Sequence, residues 1–353
     1  MAYKILILGA SYGALLGAKF TAAGHDVTLV CRTKTAALIN SKGTEVRIKL
    51  RNEDTHRRFF SHAMTGKTNA ATPEAVNPAD YDLVCLAMQE PQYSHPSLTD
   101  LLLRIAQAKI ACMSIMNMPP LPYLARIPGL DVKSLTHCFT DATVWDNFDP
   151  ALVTLCSPDP QAFRPPEEPT NILQVALPTN FKVSRFDSDD HTAILRQMQA
   201  DIEAIRYDVD GDSIELPVKL KVHDSIFVPL AKWCMLLTGN YRCVQKDGMR
   251  AIKDAVHSDI EISRNVYNWV AELCRAMGAD AEDQVPFEKY ANAALGLAKP
   301  SSAARALAAG AQNIERADCL VKTIAAQKGM QLDVIDETVA AVDGWLEKNR
   351  AQS

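Results

Sequence analysis

No apolar run of about 18 residues occurs anywhere in the chain, so nothing in it reads as a membrane span. The opening MAYKILILGA is apolar only briefly and lacks the charged, apolar and small-residue zones of a secretory leader. The nine cysteines are scattered, with no CxxC pair, which excludes a disulfide scaffold and suits a reducing compartment. The cytoplasm is therefore the expected location. The eight histidines supply neither HExxH nor a pair at helical four-residue spacing, so no metal site is expected. A basic excess is also missing. The net charge of −5 argues against a nucleic-acid partner, while a local basic pocket for a phosphate stays open. No internal repeat of about 20 to 50 residues is visible.

What is present is enough apolar material for sizeable cores. Hydrophobic residues make up 48% of the 353, a length that fits two domains. Ile5 to Leu8 are continuously apolar and stop at Gly9, as in a strand buried on both faces. Gly9 to Phe20 reads as a glycine-bearing turn opening a helix, and Asp26 to Cys31 as a second strand, which completes a βαβ unit. Tyr81 to Met88 and Lys109 to Met116 read as further strands with a helix at Thr99 to Ala108 between them. Leu152 to Cys156 and Leu173 to Leu177 look like antiparallel additions, and His191 to Ile205 is helical. Ser157 to Pro169 holds five prolines and reads as a solvated connection, with a lid or dimer contact as the other reading. From about Pro217 helical periods dominate and strand-like runs disappear. The acidic turn Asp208 to Glu215 is the expected boundary; it lacks the glycine position and final glutamate of a calcium loop. The fold class is thus α/β: a doubly wound Rossmann domain over residues 1–215, then an all-α domain over 216–353.

The turn after the first strand is where a Rossmann domain holds a pyrophosphate, against backbone amides and a helix N-terminus. Gly9, Ala10, Ser11, Tyr12 and Gly13 occupy it. In the GxGxxG template, Ser11 replaces the second glycine and Ala14 the third; in a turn one residue shorter, Gly13 takes the third role. The Ser11 hydroxyl could donate to a phosphate. At the end of the second strand, where an NAD enzyme carries an acid for the ribose, this chain has Cys31-Arg32-Thr33-Lys34. Arg32 can fork onto a 2′-phosphate and Lys34 adds charge, so NADP(H) is the expected cofactor.

At these residues the chain resembles the ketopantoate reductase (2-dehydropantoate 2-reductase) family, as a divergent member, over nearly its whole length. ILILGASYGALLGAKFTAAGHDVTLVCR is similar to the family's first βαβ. In YDLVCLAMQEPQY, Gln89 stands where the family has lysine, and Gln92 keeps its glutamine. Asn117 keeps the asparagine of an Asn-Gly pair, followed here by Met118-Pro119-Pro120. AKWCMLLTGN resembles the catalytic helix: Lys232 and Asn240 fit, and Leu236 replaces an asparagine. KPSSAARALAAGAQNIERADCLVKTIAAQKGM is similar to the last signature, with Glu315 matching its glutamate and Ser301 or Ser302 its serine.

The resemblance implies NADPH-dependent reduction of a small 2-oxo acid. Lys232 would be the general acid and Glu315 its catalytic companion; Asn117, Asn240, Ser301 and Ser302 would bind substrate, with Gln89 and Asn117 toward the cofactor. Each residue also has a plainer reading. Lys232 could pack its stem on a helix surface. The asparagines suit turns, Ser301 or Ser302 a helix cap, and Glu315 a helix start. Leu236 and the nearby methionines suit a more apolar or larger substrate than ketopantoate. Dimers are common in the family, and the alanine-rich helical part could supply a packing surface. Two alternatives stand beside this reading: another two-domain dehydrogenase, such as an opine-type enzyme, and a non-catalytic NADP-binding sensor or partner protein. The alternatives are motivated by Ser11, Gln89 and Leu236.

Overall fold

The computed structural model describes residues 2–50, 53–209 and 211–352. Ile5 to Leu8 have no solvent-exposed surface, which is why that strand carries no polar alternation. In chain order the strands are β1 (Lys4–Leu8), β2 (Asp26–Val30), β3 (Glu45–Lys49), β4 (His56–Phe60), β5 (Thr68–Ala71), β6 (Leu83–Leu86) and β7 (Cys112–Ile115). They continue with β8 (Val153–Ser157), β9 (Gln161–Phe163), β10 (Ile172–Leu177), β11 (Phe181–Ser184), β12 (Arg206–Val209), β13 (Asp212–Glu215) and β14 (Leu220–His223). Helix α1 (Gly13–Ala22) follows β1, α2 (Thr33–Lys42) follows β2, and α3 (Pro96–Ala108) links β6 to β7.

The main sheet has eight strands in the order β14-β11-β8-β7-β6-β1-β2-β5. From β5 to β8 every neighbouring pair is parallel, so six strands run in the doubly wound order with the chain reversing direction at β1 and β6. Ligands of such sheets bind beyond the carboxyl ends of the strands at this reversal. The glycine turn after β1 lies there. Helix α1 is buried along Gly13 to Thr21, consistent with its weakly sided sequence.

The structure separates into two compact units. The first holds the chain through Met88, His95–Met116 and Val144–Asp224; the second holds Gln89–Ser94, Asn117–Thr143 and the chain from Ser225. The expected boundary at 208–215 is instead part of the hairpin β12–β13 inside the first unit, with Asp210 outside the described residues. Strands also continue past Pro217: β14 closes the edge of the main sheet, pairing parallel with β11.

Two further expectations are corrected. The strand read at Leu152 to Cys156 pairs parallel with β7 and meets only β11 antiparallel. The strand read at Leu173 to Leu177 leaves the main sheet altogether. It joins a second, four-stranded sheet in the order β4-β3-β10-β9, parallel to β3 and antiparallel to β9. That small sheet is pinned by buried Glu45, which accepts from Arg47 Nε and Arg58 Nε, each at 2.6 Å. The Arg58 bond is the largest cause that holds the Glu45 carboxyl below its ordinary range.

The second unit is mainly helical, but not all-α as expected: Val244–Gln245 and Gly248–Met249 pair as a short antiparallel hairpin. Its Ile260–Met277 helix buries Val266, Tyr267, Val270, Leu273, Cys274 and Met277 on one stripe. Asp259 caps its start, accepting from Ile262 N at 2.9 Å, and Gly278 ends it at φ 119°. The single turn Lys232–Met235 runs directly into a π-helical turn, Leu236–Asn240. Ser302–Ala308, Ala317–Gln327 and Asp333–Ala351 complete the site's framework. Among the described residues, no helix is long and apolar enough to cross a membrane.

Candidate active site

The first unit holds the glycine turn. Gly9 sits at φ 108°, and a Cβ there would come within 2.7 Å of Met88 Cγ and 2.8 Å of the Ala87 carbonyl oxygen. Glycine is required on both counts. A Cβ at Gly13 would lie 2.6 Å from Ile7 Cγ2 and 3.1 Å from Ala87 Cβ. Gly13 is therefore the residue that lets helix and strand pack closely, which selects the shorter register of the motif. The Ser11 position is exposed. Neither a side-chain cap nor an acidic residue neutralises the first turn of α1, so its positive end stays available to an anion.

The proline-rich segment does not stay in solvent as expected. Tyr12 OH donates to the Pro160 carbonyl oxygen at 2.6 Å, and Arg164 Nη2 donates to the Ala10 carbonyl oxygen at 2.9 Å. The segment is thus strapped onto the glycine turn, with β9 anchoring its middle. Arg164 is half-buried, and its guanidinium is pulled below its ordinary pKa first by burial, with the Arg32 charge adding to the fall and Cys31 opposing it. Arg164 therefore shares the end of β2 with Arg32. Arg32 is exposed as the residue preceding α2, and Lys34 is exposed in that helix's first turn, which holds no acid. Reading the segment from its prolines alone hid Arg164; the signal was a single arginine between Phe163 and Pro165.

The second unit holds a small cleft. Gln89, Asn117, Asn240, Tyr241, Ser302 and Glu315 form its polar lining, and Leu236, Ala303, Ala306 and Ile314 its apolar wall. Five residues singled out from sequence thus meet at one place: Gln89, Asn117, Asn240, Ser302 and Glu315. Ser301 does not line the cleft. It is buried as the cap of the Ser302–Ala308 helix, accepting from Ala304 N at 3.1 Å and donating to the Asn240 carbonyl oxygen at 2.7 Å. Gln92 is outside the lining too; its Oε1 accepts from Gln89 N at 3.1 Å.

Glu315 is the electrostatic centre of the cleft. Burial pushes its carboxyl up to about 7, and the neighbouring Glu90 carboxylate adds to the rise. The Asn117 hydrogen bond, the Glu90 backbone amide and the Lys232 ammonium pull the other way. Asn117 Nδ2 donates to Glu315 Oε2 at 3.1 Å, while Asn117 Oδ1 is buried with no partner. Such an orphaned acceptor calls for a donor from a ligand. Asn117 itself is fixed from behind, where Trp233 Nε1 donates to its carbonyl oxygen at 3.4 Å.

Sequence reasoning missed Glu90 and Tyr241. Glu90 is buried and accepts from Thr140 N and Thr140 Oγ1, each at 2.9 Å. Burial raises its pKa, and those hydrogen bonds oppose the rise. Tyr241 OH donates to the Glu315 carbonyl oxygen at 2.5 Å and accepts from Ala317 N at 3.1 Å, clamping the turn that presents Glu315. Lys232 is half-buried and outside the cleft lining, yet its charge reaches Glu315. Leu236 follows it into the π-helical turn, a local widening that often marks functional helices.

Residues 5–114 match the family model described as ketopantoate reductase PanE/ApbA. No curated protein matches the sequence. Solved structures match over almost the full length. A PanE/ApbA family ketopantoate reductase from Ralstonia eutropha JMP134 is 16% identical, with a TM-score of 0.61, covering 98% of this chain and 99% of that one. A 2-dehydropantoate 2-reductase from Methylococcus capsulatus is 12% identical, with a TM-score of 0.65, covering 99% of this chain and 98% of that one. A D-mandelate dehydrogenase, solved with NADH and anilino(oxo)acetate, is 12% identical, with a TM-score of 0.62, covering 98% of this chain and 99% of that one. At these identities the likeness establishes the fold.

Proposed function

For a chain whose residues 5–114 belong to the ketopantoate reductase PanE/ApbA family and whose fold is that family's almost end to end, we propose NADPH-dependent reduction of a 2-oxo acid to the 2-hydroxy acid. The observation that supports this reading most is the cleft: Gln89, Asn117, Asn240, Ser302 and Glu315, far apart in sequence, line it together. A structural turn or cap at each position would not require them to converge.

The residues fit a phosphorylated dinucleotide. Gly9 and Gly13 keep side chains out of the turn, and the open end of α1 favours a pyrophosphate. Arg32, Lys34 and Arg164 gather positive charge at the end of β2 without a compensating acid in the first turn of α2, which favours a 2′-phosphate. When bound there, a reduced nicotinamide would supply the hydride for a carbonyl carbon. Lys232, whose charge acts on Glu315 although it does not line the cleft, would turn into it to donate the proton to the carbonyl oxygen and stabilise the negative charge that develops there. Asn117 Oδ1 accepts a hydrogen bond from the ligand. Asn240 and Ser302 hold the carboxylate by hydrogen bonds, since no arginine or lysine lines the cleft. Glu315, titrating near 7, can relay the proton that resets Lys232. The apolar wall of Leu236, Ala303, Ala306 and Ile314 suits a 2-oxo acid with a bulkier apolar side group than ketopantoate.

The test is NADPH oxidation by the purified chain over a panel of 2-oxo acids, including ketopantoate and aryl 2-oxo acids, with Lys232→Ala as control. Turnover is expected on an apolar member, with kcat reduced about 10²- to 10⁴-fold in the variant and NADPH affinity retained. Tight NADPH binding without turnover on any member would favour the non-catalytic alternative. Turnover that needs an added amino acid would favour opine-type chemistry.

A further inference from the structure

Away from the cleft lining, among the described residues, a single set of three potential metal ligands converges: His137, Cys138 and Cys319. His137 and Cys138 end the 3-10 segment Val132–Cys138, and Cys319 lies in the first turn of the Ala317–Gln327 helix. The two sulfurs are 3.4 Å apart, although 181 positions separate them in the chain. His137 Nε2 lies 3.6 Å from Cys138 Sγ and 3.8 Å from Cys319 Sγ. Ligands arranged tetrahedrally around zinc at ordinary bond lengths stand about 3.8 Å apart for two sulfurs and about 3.6 Å for sulfur and nitrogen. The observed triangle needs the sulfurs to part by only a few tenths of an ångström.

The imidazole is also set in the right tautomer. His137 Nδ1 lies 2.9 Å from the Ser134 carbonyl oxygen, which can only accept. Nδ1 therefore carries the hydrogen, and the lone pair of the neutral ring is on Nε2, facing the sulfurs. Thr323 Oγ1 donates to the Cys319 carbonyl oxygen at 2.8 Å and borders the group, 3.4 Å from His137 Nε2. Its lone pairs can accept a hydrogen bond from a water in the fourth position. His137 is exposed and Cys319 half-buried, so an ion can enter from solvent.

We propose that His137 Nε2, Cys138 Sγ and Cys319 Sγ form a site for a borderline-soft divalent cation, zinc foremost, with water as the fourth ligand. Two thiolates and an imidazole are the donor set that zinc favours over calcium or magnesium. Each thiol releases its proton to solvent as the ion binds. The ion ties the Val132–Cys138 segment to the helix that begins just after Glu315, so it braces the turn presenting that residue. Linear spacing gave no hint of this, because the fold alone brings Cys319 to the adjacent His137 and Cys138.

The experiment is titration of the full chain, reduced and stripped by a chelator, with Co²⁺ and then Zn²⁺. One Co²⁺ per chain is expected, with a thiolate-to-cobalt charge-transfer band and the visible bands of a tetrahedral site, both abolished by Zn²⁺. His137→Ala, a surface change that spares the fold, should weaken binding by more than about a hundredfold, the upper end for loss of a group that merely orients a ligand. Cys319→Ser should remove the charge-transfer band, and Zn²⁺ should raise the thermal midpoint of the parent protein only. Absence of tetrahedral cobalt bands, or bands unchanged in both variants, would overturn the proposal. So would a Cys138–Cys319 disulfide formed with hydrogen peroxide in a protein that takes up no cobalt.

Discussion

A buried carboxyl titrating near 7 makes Glu315 visible in two independent measurements. Its folded pKa lies above the ordinary 4.5, so the folded state prefers the protonated form. That contribution is fully present below about pH 4.5 and is lost as pH rises through about 7. The difference corresponds to about 3 kcal/mol. Glu315→Gln keeps an acceptor for Asn117 and has nothing to ionise. Chemical denaturation at pH 5 and pH 8 should show the variant gaining on the parent by up to that amount at the higher pH. Parallel pH dependences would mean that the carboxyl is solvated in the folded protein. The pH profile of kcat should lose its inflection near 7 in the same variant.

At the cofactor end, Arg32 and Arg164 should each be worth about tenfold in the preference for NADPH over NADH, near the lower end for a charge-assisted hydrogen bond. The readout is the ratio of kcat/KM for the two cofactors in Arg32→Ala and Arg164→Ala. Arg164 also holds the Ala10 carbonyl, and a purely structural role there would weaken both cofactors equally. Arg32 could be singled out from sequence because the place after the second strand is where a Rossmann fold meets the ribose. Arg164 was not, because its partner Ala10 lies 154 positions away and its neighbours are prolines.

Among the elements, those buried on all sides were the readable ones. β1 declares itself through its unbroken apolar run Ile5 to Leu8, and α1 and β2 through the glycines and apolar residues that follow it. β3 and β4 do not: EVRIK and HRRFF carry charges whose pairing with one another exists only once the strands are side by side. The π-helical turn Leu236–Asn240 was equally hidden, since its hydrogen-bonding pattern has no spacing signature of its own. Its packing gives it a test. A Cβ at Gly239 would fall 2.0 Å from Tyr290 OH and 3.1 Å from Ile252 Cγ2. Tyr290 is buried, stacks on Tyr267 and donates to the Met235 carbonyl oxygen at 3.1 Å, within the turn that precedes the π segment. Gly239→Ala must displace that hydroxyl, and it should cost about 1–3 kcal/mol in urea denaturation, as overpacking does elsewhere. A neutral substitution would mean that the Tyr290 bond contributes little to the turn. Leu236→Asn probes the same element from the cleft side: KM for apolar 2-oxo acids should rise while that for hydroxylated ones falls.

At the scale of the whole chain, the plan of a Rossmann part followed by helices was legible because helical periods dominate the C-terminal part, although β14 carries the main sheet past the expected change at 217. The composition of the helical unit was not. It draws Gln89–Ser94 and Asn117–Thr143 from the N-terminal half, as excursions that leave after β6 and β7. These pieces are built into its interior. Asn117 bonds Glu315, Trp233 bonds Asn117, and Tyr123 OH donates to the Ile226 carbonyl oxygen. Tyr123 and Leu124 are fully buried, as is Leu135. A fragment covering 216–353, the domain that sequence suggested, would therefore lack part of its own core and the partner of Glu315. Expressed alone, it should keep helical circular dichroism but unfold without a sharp transition and bind a hydrophobic dye, because secondary structure outlasts specific packing when core contacts are removed. Cooperative unfolding of that fragment would show that the two excursions are dispensable ornaments. Its failure, rescued by supplying 117–143 in trans, would show that they are structural members of a unit assembled from three separate stretches of chain.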